Sequence, residues 1–380
     1  MAARNPLSAL ADFGQSFWLD YIRRDFVENG EMAAMIEKDG LRGITSNPSI
    51  FEKAIAGSSD YRSQLEQLRS EPGLDAQHIF ERLAVKDIQG AADLLRPVYE
   101  QSGKADGFVS LEVSPGLASD TGATITEAHE LWKQVNRPNL MVKVPGTEAG
   151  IPAFESLIAE GININVTLLF AVGAYEQVAE AYLRALEQRV REGKPVDSIA
   201  SVASFFVSRI DSAVDALLKA KAEAASGDAR ANIESLYGKT AIANAKRAYQ
   251  RFHRAFSGSR WEALAAKGAK PQRLLWASTS TKNPAYRDVI YIEELIGRPT
   301  VNTMPPATAA AFRDHGKLRN SLEEDPEAAE AVLDEITRVG IDLRDVTNKL
   351  TVDGVKQFTD AYDKMLDAIR EAVHREVVQA

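Results

Sequence analysis

The chain contains no cysteine. That absence removes disulfides, thiolate metal sites and cysteine nucleophiles at once. Histidine is scarce as well. Its five copies, His78, His129, His253, His315 and His374, show no H-x-x-H or H-E-x-x-H spacing, so no metal centre is expected. No stretch approaches the roughly 18 apolar residues that a membrane span requires. The opening MAARNPLSALADFGQ has no apolar core of signal-peptide length. A G-x-G-x-x-G turn after the first strand and a G-x-x-x-x-G-K loop are both missing, which argues against an open nucleotide-binding sheet. Basic residues are outnumbered, 45 Lys and Arg against 54 Asp and Glu, for a net charge of −9. That sign speaks against nucleic acid and anionic membranes as partners, though not against a local basic pocket. Internal repeats and low-complexity segments are also lacking. The expectation is a cytoplasmic enzyme.

What is present fits a globular chain of 380 residues, 45% hydrophobic and 26% charged. Short runs rich in β-branched and aromatic residues alternate with longer amphipathic ones. Strands are expected near 16–22, 43–49, 107–113, 140–145, 162–170, 198–207, 273–278 and 300–304. Several are apolar on both faces, as parallel strands covered by helices must be. Between them, Val172, Tyr175, Val178, Tyr182, Leu186 and Val190 recur at helical spacing in 171–192. Eight strands, each followed by helix, predict an α/β fold, the (β/α)8 TIM barrel, which typically takes about 250 residues. The surplus is read as helical elaboration of a single domain over 1–380. One elaboration lies near 213–256, with a break at SGD 226–228, and the other near 325–378. In the second, Leu343, Val346, Leu350, Phe358, Tyr362, Met365 and Ile369 form a face suited to packing back onto the barrel.

Catalytic groups of such barrels sit at the C-terminal ends of the strands. Polar residues near those ends are therefore the candidates: Asp20 in FWLDYI, Asn47 in ITSNPS, Glu112 in VSLEV, Lys143 in LMVKVP, Asn165 and Thr167 in NINVTLL, and Ser204 in VASFF. Each has a plain alternative, since a buried Asn or Thr often only satisfies backbone and an Asp often caps a helix. Lys143 stands apart, because an ammonium among Met141, Val142, Val144 and Pro145 is costly unless paired or neutralised. It is either a structural ion pair with Glu112 or Asp20, or a nucleophile. A free lysine has a pKa of about 10.4, and desolvation favours the neutral amine that attacks a ketone. The resulting imine is an electron sink, and its chemistry needs two acid/base groups, for which Asp20 and Glu112 are placed. Arg209, Ser280 and Lys282, after the sixth and seventh strands, suit a phosphate. The alternative for each cation is an ordinary solvated surface charge.

GITSNPSIF at 43–51 and LMVKVPGTEAGIPAFESL at 140–157 resemble the two transaldolase signatures, the second with Thr147, Gly150 and Leu157 at the family's spacings around a lysine. WASTSTKNPAY and VNTMP resemble segments of the longer bacterial members, and the likeness runs from about residue 12 to the end. It implies a class I aldolase-type barrel with no cofactor and no metal. It also implies transfer of a dihydroxyacetone unit from sedoheptulose 7-phosphate to glyceraldehyde 3-phosphate, giving erythrose 4-phosphate and fructose 6-phosphate, in the non-oxidative pentose phosphate pathway. By the same likeness Lys143 forms the Schiff base and Asp20 is the acid/base for the C4 hydroxyl. Glu112 and Thr167 hold the catalytic water. Asn47, Asn165 and Ser204 bind the dihydroxyacetone hydroxyls, and Arg209, Ser280 and Lys282 hold the phosphate. Many members carry Arg where Lys282 aligns, which would change the geometry of that contact. The rivals are a fructose-6-phosphate aldolase and a non-catalytic sugar-phosphate-binding protein. Against the first, aldolase-type relatives tend to have Gln and Tyr where this chain has Glu112 and Phe206. The sequence does not distinguish a monomer from a homodimer.

Overall fold

The computed structural model describes residues 5–56, 58–69, 71 and 73–375, with side chains through residue 373. Residues 1–4 of the opening stretch and 376–378 of the second elaboration lie outside the described residues. All eight expected strands are present: β1 (Gln15–Asp20), β2 (Gly43–Thr45), β3 (Phe108–Glu112), β4 (Leu140–Pro145), β5 (Ile164–Leu169), β6 (Ser201–Phe206), β7 (Arg273–Ala277) and β8 (Thr300–Met304). They pair in chain order, all parallel, and β8 closes onto β1 through Gln15↔Thr300 to Leu19↔Met304. Every residue of β4, β5 and β6 is buried, which is why those runs read as continuously apolar.

Buried hydrogen bonds close the N-terminal end of the barrel. Asp106, just before β3, accepts Trp18 Nε1 at 2.8 Å and a bond from Ser16 Oγ. Arg273, at the start of β7, donates to Ser16 Oγ at 2.8 Å and pairs with Asp106 at 3.3 Å. The open end is the C-terminal one. There the second signature's Gly150 has a steric reason: a Cβ on it would lie 1.9 Å from the Pro145 carbonyl oxygen. Only glycine lets the helix Gly150–Glu160 start that close to the end of β4, two residues beyond Lys143.

Some boundaries differ from expectation. The second strand stops at Thr45, because Pro48 starts the helix Pro48–Ala56, so Asn47 is on the connecting turn rather than the strand. The first elaboration has three helical pieces, not two: Ser208–Glu223, Gly227–Glu234 and Thr240–Ala255. The second break, 235–239, centres on Gly238 in the left-handed region at φ +69°. The C-terminal elaboration is the helices Pro326–Arg338 and Leu343–Arg375. The latter lies across the barrel mouth with Phe358, Met365 and Ile369 buried and Leu343, Val346, Leu350 and Tyr362 packed against the core. Among the described residues no helix is long and apolar enough to cross a membrane.

Candidate active site

Parallel register sets the floor of the mouth. Glu112 pairs with Lys143 across β3 and β4, and Lys143 with Asn165 across β4 and β5. Three polar residues from separate parts of the chain thus stand side by side. Lys143 is 5% exposed. Its Nζ donates to the Ser46 carbonyl at 2.9 Å and to Glu112 Oε2 at 3.2 Å. The Phe358 ring of the C-terminal helix lies 5.9 Å from the same nitrogen. The ammonium is held by two acceptors, one of them neutral, with its third proton directed by neither. That is a weaker enclosure than a purely structural buried pair would need.

Asp20, at the end of β1, faces the same cavity from the opposite wall. Its Oδ1 accepts the Thr45 hydroxyl at 2.6 Å, and Thr45 Oγ1 lies 2.7 Å from Thr303 Oγ1. Since the Thr45 proton goes to Asp20, Thr303 is the donor in the second bond. Burial pushes the Asp20 carboxyl above the usual aspartate range, while the Lys143 charge and the Thr45 bond pull it down. Glu112 is pushed up by burial in the same way, with the Lys143 charge and hydrogen bond opposing and Asp20 adding to the rise. Each carboxyl is therefore poised nearer to proton transfer than in water.

A cavity of about 180 Å³ brings together Asp20, Asn47, Lys143, Thr167, Ser204, Arg209, Ser280 and Lys282. Of the ten candidates, Glu112 and Asn165 do not line it. Glu112 reaches it through Lys143 and itself opens on an adjoining space of about 10 Å³ beside Ser46, Asn47 and Tyr362, close to the size of one water. Asn165 is fully buried behind the wall, where its Oδ1 accepts Ser204 Oγ at 2.6 Å and its Nδ2 donates to Ser110 Oγ at 3.1 Å. It aims Ser204 at the cavity. Asn47 Oδ1 accepts the Ile50 N–H at 3.1 Å and so caps the helix that follows.

Thr167 stands out by what it does not bond. Its Oγ1 is buried, lines the cavity and has no hydrogen-bond partner among the described residues. Buried hydroxyls are nearly always satisfied, and an orphan at a cavity wall marks a place for a polar ligand or water. The next residue, Leu168, has φ +60° at an irregularity in the β5–β6 register. Ser278, just after β7, has φ +54°. Left-handed non-glycine residues at two strand ends place backbone strain at the mouth, where bulges re-aim side chains.

The far end of the cavity is cationic. Arg209 packs on Phe206, with Cζ 5.5 Å from the ring centroid, and Lys282 Nζ donates to Ser280 Oγ at 2.7 Å. Among the described residues neither has a carboxylate within ion-pairing distance. Burial lowers the pKa of both, and the neighbouring Arg209 charge lowers that of Lys282 further. Two positive groups held together without a counter-charge among the described residues are disposed to attract an anion.

Sequence reasoning did not single out Thr45, Ser278, Thr303, Pro305 or Phe358, all of which line the cavity. Thr45 and Thr303 had a signal, as polar residues inside GITSNPS and VNTMP. Phe358 had none, because a phenylalanine on an apolar helical face looks the same whether it covers a core or a cavity. Among the described residues, no group of three or more His, Asp or Glu side chains is assembled as a metal site.

The family described as Transaldolase/Fructose-6-phosphate aldolase matches residues 17–369. Transaldolase 2 of a Nostoc species is 47% identical over 376 residues, covering 98% of each chain. Transaldolase 2 of Nostoc punctiforme is 48% identical over 374 residues, with 97% of this chain and 98% of the relative covered. The transaldolase of Thiobacillus denitrificans is 49% identical over 365 residues, covering 96% and 99%.

Proposed function

The chain belongs to the transaldolase/fructose-6-phosphate aldolase family, and from that premise we propose that Lys143 carries a dihydroxyacetone unit between sugar phosphates as a Schiff base. The activity is that of a transaldolase, a group transfer. The observation that carries the residue assignment is the Lys143 ammonium, buried between the Ser46 carbonyl and Glu112 at one end of a cavity whose other end holds Arg209 and Lys282.

Lys143 passes a proton to Glu112, and the neutral amine attacks C2 of sedoheptulose 7-phosphate or fructose 6-phosphate to form a carbinolamine. Glu112, 3.2 Å from Nζ, delivers the proton with which the C2 hydroxyl leaves as water, assisted by a water on the free Thr167 hydroxyl. Asp20 then takes the C4 hydroxyl proton. The C3–C4 bond breaks, its electrons flow into the iminium, and an aldose phosphate departs. The enamine left on Lys143 adds to the incoming aldehyde of glyceraldehyde 3-phosphate or erythrose 4-phosphate, and Asp20 returns the proton. Hydrolysis of the new imine frees the lysine. Asn47 and Ser204, the latter aimed by Asn165, hold the three-carbon hydroxyls, while Arg209, Ser280 and Lys282 hold the phosphate. This chemistry uses one catalytic unit over 1–380. Its substrates are charged and do not cross membranes unaided, so the reading belongs to the cytoplasm.

Transfer rather than aldol cleavage requires the enamine to wait for an aldehyde and not be protonated by water. Phe358 and Phe206 supply that dryness as apolar walls of the cavity. Incubation with fructose 6-phosphate, borohydride reduction and peptide mass spectrometry should find a three-carbon adduct on the Lys143 peptide, and sustained turnover should require an acceptor aldose phosphate. A folded protein with no adduct on any lysine would overturn the Schiff-base reading. Phe358→Ala should raise acceptor-free release of dihydroxyacetone relative to transfer by roughly tenfold, equivalent to about 1.4 kcal/mol. An unchanged ratio, whatever happens to the absolute rates, would remove Phe358 from the partition.

A further inference from the structure

The loop that carries Ser280 and Lys282 has no helix or strand of its own between Ser278 and Val289. Its first residues are tied to the barrel, since Thr279 Oγ1 donates to Asn302 Oδ1 at 3.0 Å. Its other end is tied elsewhere. Tyr286 donates to Asp215 Oδ2 at 2.7 Å, and Tyr291, just beyond the loop, donates to Asp211 Oδ2 at 2.8 Å. Asp211 and Asp215 stand one turn apart on the helix Ser208–Glu223, which begins with Arg209 in its first turn.

One helix therefore holds both halves of the phosphate site, Arg209 directly and the Lys282 loop through two tyrosine–carboxylate bonds. The helical insertion completes both grips. The remaining oxygens of the two carboxylates accept the Gly238 N–H at 3.1 Å and the Ala241 N–H at 2.7 Å. The first donor lies within the second break of the insertion and the other in the first turn of the helix that follows it. Gly238 also makes room for the tyrosine: a Cβ there would meet Tyr286 Cζ at 2.8 Å, and its φ of +69° disfavours any side chain. Asp211 is 1% exposed, and burial raises its pKa to about 6. An acid so costly to bury requires its hydrogen bonds, which ties the loop end firmly.

We infer that Asp215 and Tyr286, with Asp211 and Tyr291 beside them, are positioning residues that set the distance of Lys282 from Arg209, so that the helical insertion serves recognition of the substrate phosphate. The inference rests on the transaldolase reading and assigns a role to the added helices. None of the four is among the residues that line the cavity, so the effect is transmitted through Lys282.

The test compares a phosphorylated donor with an unphosphorylated one. Tyr286→Phe and Asp215→Asn should each lower kcat/KM for fructose 6-phosphate about five- to tenfold, mainly through KM, the fold-change expected for one lost hydrogen bond of about 1 kcal/mol. The rate at which dihydroxyacetone plus borohydride modifies Lys143 should stay within about twofold, because that reaction uses the amine and carboxylates but no phosphate. In a Lys282→Ala background, Tyr286→Phe should cost nothing further. Equal losses with both donors, additive losses with Lys282→Ala, or no loss at all would each overturn the inference. A wild-type protein inactive on fructose 6-phosphate would instead overturn the transaldolase reading, leaving the two failures distinguishable.

Discussion

Lys143→Arg should reduce turnover by on the order of 10⁴-fold or more, because the covalent route disappears with the nucleophile. Arginine is the informative replacement. It keeps a cation between the Ser46 carbonyl and Glu112, so the buried Glu112 is not stranded, yet a guanidinium with a pKa above about 12 does not form the imine. Lys143→Met would leave the Glu112 carboxyl without its partner, and breaking a buried pair from one side typically costs about 3–5 kcal/mol. Loss of activity there would be confounded with loss of fold. The measurement is a coupled assay of transfer, with the borohydride adduct and a thermal melt on the same preparation. A folded Lys143→Arg protein that retains more than about one per cent of turnover would assign the nucleophile to another lysine, since a change of that size is under 3 kcal/mol.

Asp20→Asn should lose about 10²- to 10⁴-fold in transfer, the usual worth of a positioned general acid/base, while the protein becomes more stable at neutral pH. The sign follows from the direction of the Asp20 shift. Its folded pKa is raised above the unfolded value, with burial the main cause. The group thus contributes stability that is fully present below the unfolded pKa and lost as pH rises through the folded one. Above the unfolded pKa the buried Asp20 therefore costs stability, and asparagine removes that cost with nearly the same shape. The gain in melting temperature should accordingly be larger at pH 7 than at pH 4. The acidic limb of the wild-type kcat/KM profile should also lie above the range of a free aspartate. Glu112→Gln should differ in kind, slowing imine formation in single-turnover trapping more than carbon–carbon cleavage. If Asp20→Asn lowered activity and stability together at pH 7, Asp20 would be a structural member of the Thr45–Thr303 network instead.

The strands were legible because each is buried on both faces and carries little else, so hydrophobicity and β-branching decide the pattern locally. Lys143, Glu112, Asp20, Thr167 and Ser204 were legible for the converse reason, as polar groups in runs where burial disfavours them. The short second strand and the second break in the insertion were less so. Pro48 ends β2 early, and Gly238 turns the chain in a way set by Tyr286, which lies beyond β7.

The amino-acid sequence by itself determined the barrel class, the lack of thiol chemistry, and the buried lysine flanked by apolar neighbours, since these depend on residue type and short-range spacing. Tertiary structure alone decided which polar groups meet. The parallel register put Glu112, Lys143 and Asn165 in one row, and barrel closure set Asp20 opposite them. Packing of the C-terminal helix brought Phe358 over the amine. The physical reason is that a hydrogen bond or an apolar wall acts over a few ångströms of space, whereas these groups come from distant parts of the chain, and only the closed barrel converts one separation into the other.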